Sequence, residues 1–253
     1  MELHFRAYGQ GEPLIILHGL LGSSDNFHSI NQELSANLKV FALDLRNHGR
    51  SPHDLEMDYP LMAQDVKEFI EGQGLTDAFV LGHSMGGKVA MQLALLYPEK
   101  TRKLIVADIA PHSYPPRHRK ILNGMLSLDL SHFQTRKEME AALAPAVPDL
   151  SARQFLLKNV VREASGFRWR IGLQEIIQNY GRLTEPISSA RCYEKPALFI
   201  RGENSDYLLE EDLGSIRQLF PRARLATIPG AGHLVHTENP AAFAKSVQEF
   251  LAE

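Results

Sequence analysis

The chain has 253 residues, 44% apolar and 23% charged, with a formal net charge of −3. This is an ordinary globular composition, long enough for one sizeable core or for a core with a small insert, and the charge balance gives no general attraction to nucleic acid. A single cysteine, Cys192, excludes an internal disulfide framework and fits a reducing, cytoplasmic setting. The first residues lack the basic segment of a secretory signal, and the early apolar run at 14–17 is far too short to span a bilayer. No membrane insertion is expected, and the chain is read as a monomer or small homo-oligomer.

In chain order, residues 2–7 alternate apolar and polar side chains and predict an edge strand. Gly9-Gln10-Gly11 predicts a turn; it lacks the third glycine and the following helix of a dinucleotide fingerprint. Residues 13–17 predict a buried strand. Within 25–38, Phe27, Ile30, Leu34 and Leu38 fall near one helical face. Residues 39–43 predict a strand, and 62–70 a helix whose stripe is Met62, Val66, Phe69 and Ile70. Strands at 78–81 and 104–107 bracket a helical pattern at 87–96. Strands at 196–200 and 224–228 and an amphipathic helix at 240–250 complete the chain. Strands alternating with helices predict an α/β fold, with a mostly parallel central sheet and helices on both faces.

Residues 111–186 break this rhythm. No run there reads as a strand; helical stretches fall at 120–128, 136–143, 152–161 and 172–180. From 111 to 190 there are eleven Lys and Arg against seven Asp and Glu, so the segment is basic within an acidic chain. It predicts a helical insert between two late strands of a core formed by 1–110 and 187–253.

Gly82-His83-Ser84-Met85-Gly86 joins the strand at 78–81 directly to a helix. A serine at such a junction sits on a tight turn with its hydroxyl clear of the backbone, as a nucleophile requires. Small residues around it, Gly82, Gly86 and Gly87, make the turn feasible. A serine nucleophile needs a base, an acid to orient the base, and N–H donors for the oxyanion. In a sheet of this type these belong at the carboxyl ends of strands. His18-Gly19-Leu20-Leu21-Gly22 follows the second strand, so the N–H groups of Leu20 and Met85 are the candidate oxyanion donors. His233, in Gly230-Ala231-Gly232-His233 after the strand at 224–228, is the candidate base. His83 and His236 are its competitors. His18, Arg168, Trp169 and Arg170 are candidate substrate-facing residues, although bracing the loop is the plainer role for His18 and packing the plainer one for Trp169. Asp44 and Arg46 are read as holding the loop before Gly49 by internal pairing. The eleven histidines show no metal-ligand spacing, and no cofactor is called for.

Four signatures, His18-Gly19, the run Asp44-Leu45-Arg46-Asn47-His48-Gly49-Arg50-Ser51, Gly82 to Gly86, and Gly230 to His233, occur in an order that resembles the α/β-hydrolase family. With His83-Ser84-Met85-Gly86-Gly87-Lys88 and Asp108-Ile109-Ala110-Pro111, the chain is most similar to the small YbfF-type esterases. The resemblance implies that the insert is a cap domain. In many members the acid stands three residues after a strand-closing glycine, here Gly202, but that position is Ser205. A hydroxyl cannot supply a fixed negative charge. Asp108 at the end of the strand at 104–107, or Asp206 in the later loop, can do so. Asp108 is preferred because an acid moved one strand earlier accounts for the serine, with Ser205 then a hydrogen-bond partner of His233; the YbfF resemblance points to the same place.

The expected reaction is hydrolysis of a small-molecule carboxylic ester or acyl-CoA thioester through an acyl-enzyme on Ser84. Arg117, Arg119, Lys120, Arg168 and Arg170 are candidates to meet the phosphates of a coenzyme A leaving group, against the simpler reading of a solvated basic surface. The alternatives on the same fold are a lyase and a cofactor-free haloperoxidase. Dehalogenase and epoxide-hydrolase chemistry is disfavoured because family members with those activities normally carry an aspartate at the elbow, where this chain has Ser84.

Overall fold

The computed structural model describes residues 1–164 and 166–253. Its strands are β1 (Phe5–Tyr8), β2 (Glu12–Leu17), β3 (Leu38–Leu43), β4 (Ala78–His83), β5 (Thr101–Ala107), β6 (Val160–Glu163), β7 (Gly166–Trp169), β8 (Ala197–Gly202) and β9 (Ala223–Ile228). Its helices are α1 (His28–Leu34), α2 (Tyr59–Gly72), α3 (Met85–Leu96), α4 (Arg119–Leu126), α5 (Arg136–Leu143), α6 (Leu150–Leu157), α7 (Leu173–Leu183), α8 (Leu213–Leu219), α9 (Val235–Glu238) and α10 (Pro240–Ala252). Seven strands form one sheet in the order β1-β3-β2-β4-β5-β8-β9. Only the β1–β3 pairing in it is antiparallel.

Successive side chains of a strand point to opposite faces, and the strands are apolar on both. Leu14 and Ile16 pack with Phe79, Leu81, Ile105, Ile200 and residues of α1 and α10. Ile15 and Leu17 pack with Val80, Leu104, Val106, Phe199 and residues of α2, α3 and α8. Two helical layers thus cover the sheet, and each such fully buried aliphatic side chain contributes about 1.5–3 kcal/mol relative to exposure. Helix α2 begins where Asp58 accepts a hydrogen bond from the N–H of Leu61, with Pro60 in the first turn.

The segment between β5 and β8 carries α4 to α7, as the sequence predicts, together with an antiparallel hairpin that it does not. The helix expected at 152–161 stops at Leu157, and Val160 and Val161 enter β6. The predicted helix at 25–38 ends at Leu34; Leu38 opens β3 after a turn. The insert is pinned to the core by Tyr59, whose hydroxyl donates to the carbonyl of Leu183 at 2.6 Å, and by Asn159, whose Nδ2 donates to the carbonyl of Leu21 at 2.8 Å. Among the described residues no helix is long and apolar enough to cross a membrane.

Candidate active site

Ser84 lies between β4 and α3 with φ 53° and ψ −120°. That positive φ is costly for a residue with a Cβ, and it aims the hydroxyl away from both elements. Close packing holds the turn: a Cβ on Gly82 would lie 2.1 Å from the carbonyl oxygen of Gly86, and one on Gly86 would lie 2.4 Å from that of Leu17. The N–H of Ser84 donates to the carbonyl of Ala107 at the end of β5 (2.9 Å). One residue on, Asp108 also has positive φ (52°) and donates its N–H to Ile200 of β8 at 2.8 Å. Leu21 and Asn47 are the other non-glycine residues with positive φ among the described residues, and both lie in loops at this sheet edge. Backbone strain is therefore concentrated around the serine, as it is at sites where geometry matters more than local stability.

His233 Nε2 is 3.0 Å from Ser84 Oγ, and its Nδ1 is 2.8 Å from Asp108 Oδ2. A carboxylate only accepts, so Nδ1 carries the proton and Nε2 is free to accept from the serine. Asp108 is fully buried. Its Oδ1 accepts the N–H of Gly202 at 2.8 Å, and its Oδ2 accepts the hydroxyl of Ser205 as well as His233. The burial of this charge is thus matched by three donors. Ser205 therefore bonds Asp108 and not, as expected, His233. Asp206 points elsewhere: its side chain is 71% exposed and pairs with Arg117 at 2.8 Å. The ring of His233 stacks on Tyr207, 3.8 Å between centroids, which fixes its plane. His83 turns away from the serine and donates Nε2–H to the carbonyl of His233 at 2.8 Å, anchoring the loop that carries His233. His236 is buried against Phe27 at a 4.0 Å stacking distance.

The loop after β2 lies directly against Ser84: a Cβ on Gly19 would be 3.3 Å from that of the serine. The N–H groups of Leu20 and Met85 donate to no acceptor among the described residues, and both residues line a cavity with Ser84. The neighbouring N–H of Leu21 is taken by His48 Nε2 at 3.1 Å. His48 donates Nδ1–H to Arg46, and burial holds its pKa down at about 3, so it stays neutral. His18 is buried and does not face the cleft: it accepts the N–H of Leu45 at Nε2 and donates Nδ1–H to Gly19, bracing the loop. Asp44 and Arg46 do not pair with each other. Asp44 accepts the N–H groups of Ser24 and Arg50, while Arg46 forms a two-pronged ion pair with buried Asp65 at 2.8 and 3.0 Å.

Arg168, Trp169 and Arg170 also lie away from the cleft. Arg168 is spent on Glu163 across the β6–β7 hairpin, Trp169 packs on the core, and the carbonyl of Arg170 accepts from His53. Of the five basic insert residues singled out, Arg117 alone lines the cavity. Sequence reasoning missed Tyr59, His118, Tyr180 and Tyr207, which also line it. Their spacing carries no signal, because they converge from α2, α7 and two loops. Lys88 closes the His83–Lys88 run. It is buried one turn after Ser84, donates to the carbonyls of His112 and Glu185 at 2.9 and 2.6 Å, and so ties both ends of the insert to α3. Burial without a carboxylate partner lowers its pKa to about 8.

The arrangement can move a proton from Ser84 to His233 while Asp108 holds the resulting imidazolium. A profile of the alpha/beta hydrolase fold matches residues 12–240. The chain is 35% identical to esterase YbfF of Escherichia coli (strain K12), over 99% of each protein. It is 39% identical to the sn-1-specific diacylglycerol lipase ABHD11 of Xenopus tropicalis, over 95% of this chain and 78% of that one. A solved structure described as a marine microorganism esterase superposes with a TM-score of 0.96 at 45% identity, covering 98% of this chain and 99% of the other.

Proposed function

The chain belongs to the α/β-hydrolase fold family, and from that premise we propose that it is a serine carboxylesterase working through an acyl-enzyme on Ser84. The observation that carries this reading is the unbroken relay from Ser84 Oγ through His233 to Asp108, at 3.0 and 2.8 Å. His233 takes the hydroxyl proton as Oγ attacks the acyl carbonyl. The carbonyl oxygen, now negative, is held by the N–H groups of Leu20 and Met85, and such a donor is worth about 10²–10³ in rate. The bond to the leaving oxygen breaks as His233 returns the proton to it. Water, deprotonated by the same histidine, then releases the acid and restores Ser84. Relatives named as an esterase and a lipase support carboxylic esters as the substrate class.

Thioesters of coenzyme A follow the same steps, with the thiol as leaving group. Residues 111–186 act in this reading as a cap that forms one wall of the cleft. The exposed thiol of Cys192 suits a reducing, cytoplasmic setting.

The test is hydrolysis of p-nitrophenyl acetate and butyrate, with fluorophosphonate labelling, by the wild type and Ser84→Ala. Turnover and labelling that both vanish in the variant support the reading. A wild type that neither hydrolyses nor labels contradicts it, and leaves the lyase and haloperoxidase chemistries of the same fold.

A further inference from the structure

Two cavities open from Ser84 and share Leu20, Ser84 and His118 as a common edge. The smaller, about 50 Å³, lies over Met85 and is closed by Tyr59, Tyr180 and Leu183. The larger, about 600 Å³, runs between the loop after β2, helix α6 and the base, and is lined by Phe27, Ile121, Phe155, His233 and Leu234.

The chemistry decides which part of an ester enters each. In the tetrahedral intermediate the oxyanion must face the N–H groups of Leu20 and Met85. The leaving oxygen must lie within hydrogen-bond reach of His233 Nε2, from which it takes its proton as the carbon–oxygen bond breaks. The remaining substituent, the acyl chain, points away from both. His233 lines the larger cavity and not the smaller. We infer that the alcohol or thiol half of the substrate occupies the large groove and that the small cavity receives the acyl chain, so the protein acts on short acyl groups esterified to long or bulky apolar leaving groups.

The sizes set the limits. At about 10–15 Å³ per water-sized group, the small cavity holds roughly three to five: room for acyl chains up to about six carbons, short of octanoyl. Its walls are tied from behind. Tyr59 donates to Leu183, Tyr114 donates to the carbonyl of Tyr207, and Lys88 donates to His112 and Glu185. Widening it for a long chain strains one buried and three part-buried hydrogen bonds. The groove has no such limit; its volume is that of a site for a drug-sized ligand, and Leu234 and Phe155 offer it partly exposed apolar surface.

This inference rests on the esterase reading, and one pair of isomeric esters separates their failures. Octyl acetate and ethyl octanoate have the same atoms with the long chain on opposite sides of the ester. Measured as kcat/KM below the solubility limit, octyl acetate should be preferred by at least about tenfold. Leu183→Ala should raise the ratio in favour of ethyl octanoate, and Phe155→Trp should lower kcat/KM for octyl acetate more than for methyl acetate. Equal or faster turnover of ethyl octanoate by the wild type overturns the assignment of the cavities while the esterase reading stands. No turnover of either ester, with no fluorophosphonate label on Ser84, overturns both.

Discussion

Ser205 and His233 share one oxygen of Asp108: the serine hydroxyl and the histidine Nδ1–H both donate to Oδ2, while the N–H of Gly202 occupies Oδ1. The carboxylate is thus aimed at His233 by two donors from the loop that begins at Gly202, where the sequence had Ser205 in place of a carboxylate.

If Asp108 orients His233, Asp108→Asn should keep the fold and lower kcat by about 10³–10⁴, since an amide favours the wrong histidine tautomer. Asp206→Asn should stay within about threefold of the wild type, because its exposed pairing with Arg117 is screened by water. Steady-state kinetics of the two variants on p-nitrophenyl butyrate decide between them; a dead Asp206→Asn beside an active Asp108→Asn reverses the assignment.

Ser205→Ala removes one donor from a buried carboxylate that keeps two others. The expected loss in kcat is about tenfold, with KM little changed, consistent with one hydrogen bond to a charged group. In an Asp108→Asn background, Ser205→Asp returns a carboxylate to the neighbourhood of His233 and should regain part of the lost rate. Stopped-flow measurement of the acylation step reads both effects.

The serine turn and the histidine that meets it were legible in the sequence because each is local. Ser84 is announced by four flanking residues, and His233 by the glycines before it. Asp108 lies 125 residues from His233, and only the parallel pairing of β5 with β4 and β8 brings it to the same edge. Sequence alone therefore left two aspartates. The β6–β7 hairpin escaped because Val160 and Val161 continue an apolar helical run; the β-branched pair before a glycine was the available signal. The arginines between 111 and 186 stand out by charge, and charge does not say which of them a neighbouring Glu163 has already taken.

Burial holds His48 and His236 neutral with pKa values of about 3, and lowers those of His18 and His83. In the unfolded chain they bind protons below about pH 6.5. Stability is therefore fully present above pH 6.5 and is lost as the pH falls toward 3, because the unfolded state takes up protons that the folded state refuses. Urea unfolding at pH 7, 5.5 and 4.5 should show falling midpoints. His236→Phe, which keeps the stack on Phe27, should flatten that slope.

The Arg46–Asp65 pair joins the loop after β3 to α2 with both groups nearly buried. Removing Asp65 leaves the buried Arg46 guanidinium with only Asp54 at 3.7 Å and the carbonyl of Glu56, so Asp65→Asn should cost about 3 kcal/mol by denaturant unfolding. Replacing both with apolar residues of similar volume should cost less than either single change.

The central claim is that an acyl group passes through Ser84. Rapid quenching of the wild type with p-nitrophenyl acetate, followed by peptide mass spectrometry, tests it most directly. The account predicts one acetyl group on the peptide carrying Ser84, accumulating in a burst and absent from Ser84→Ala. An acetyl group found on another residue, or substrate turnover with Ser84 never modified, would contradict it.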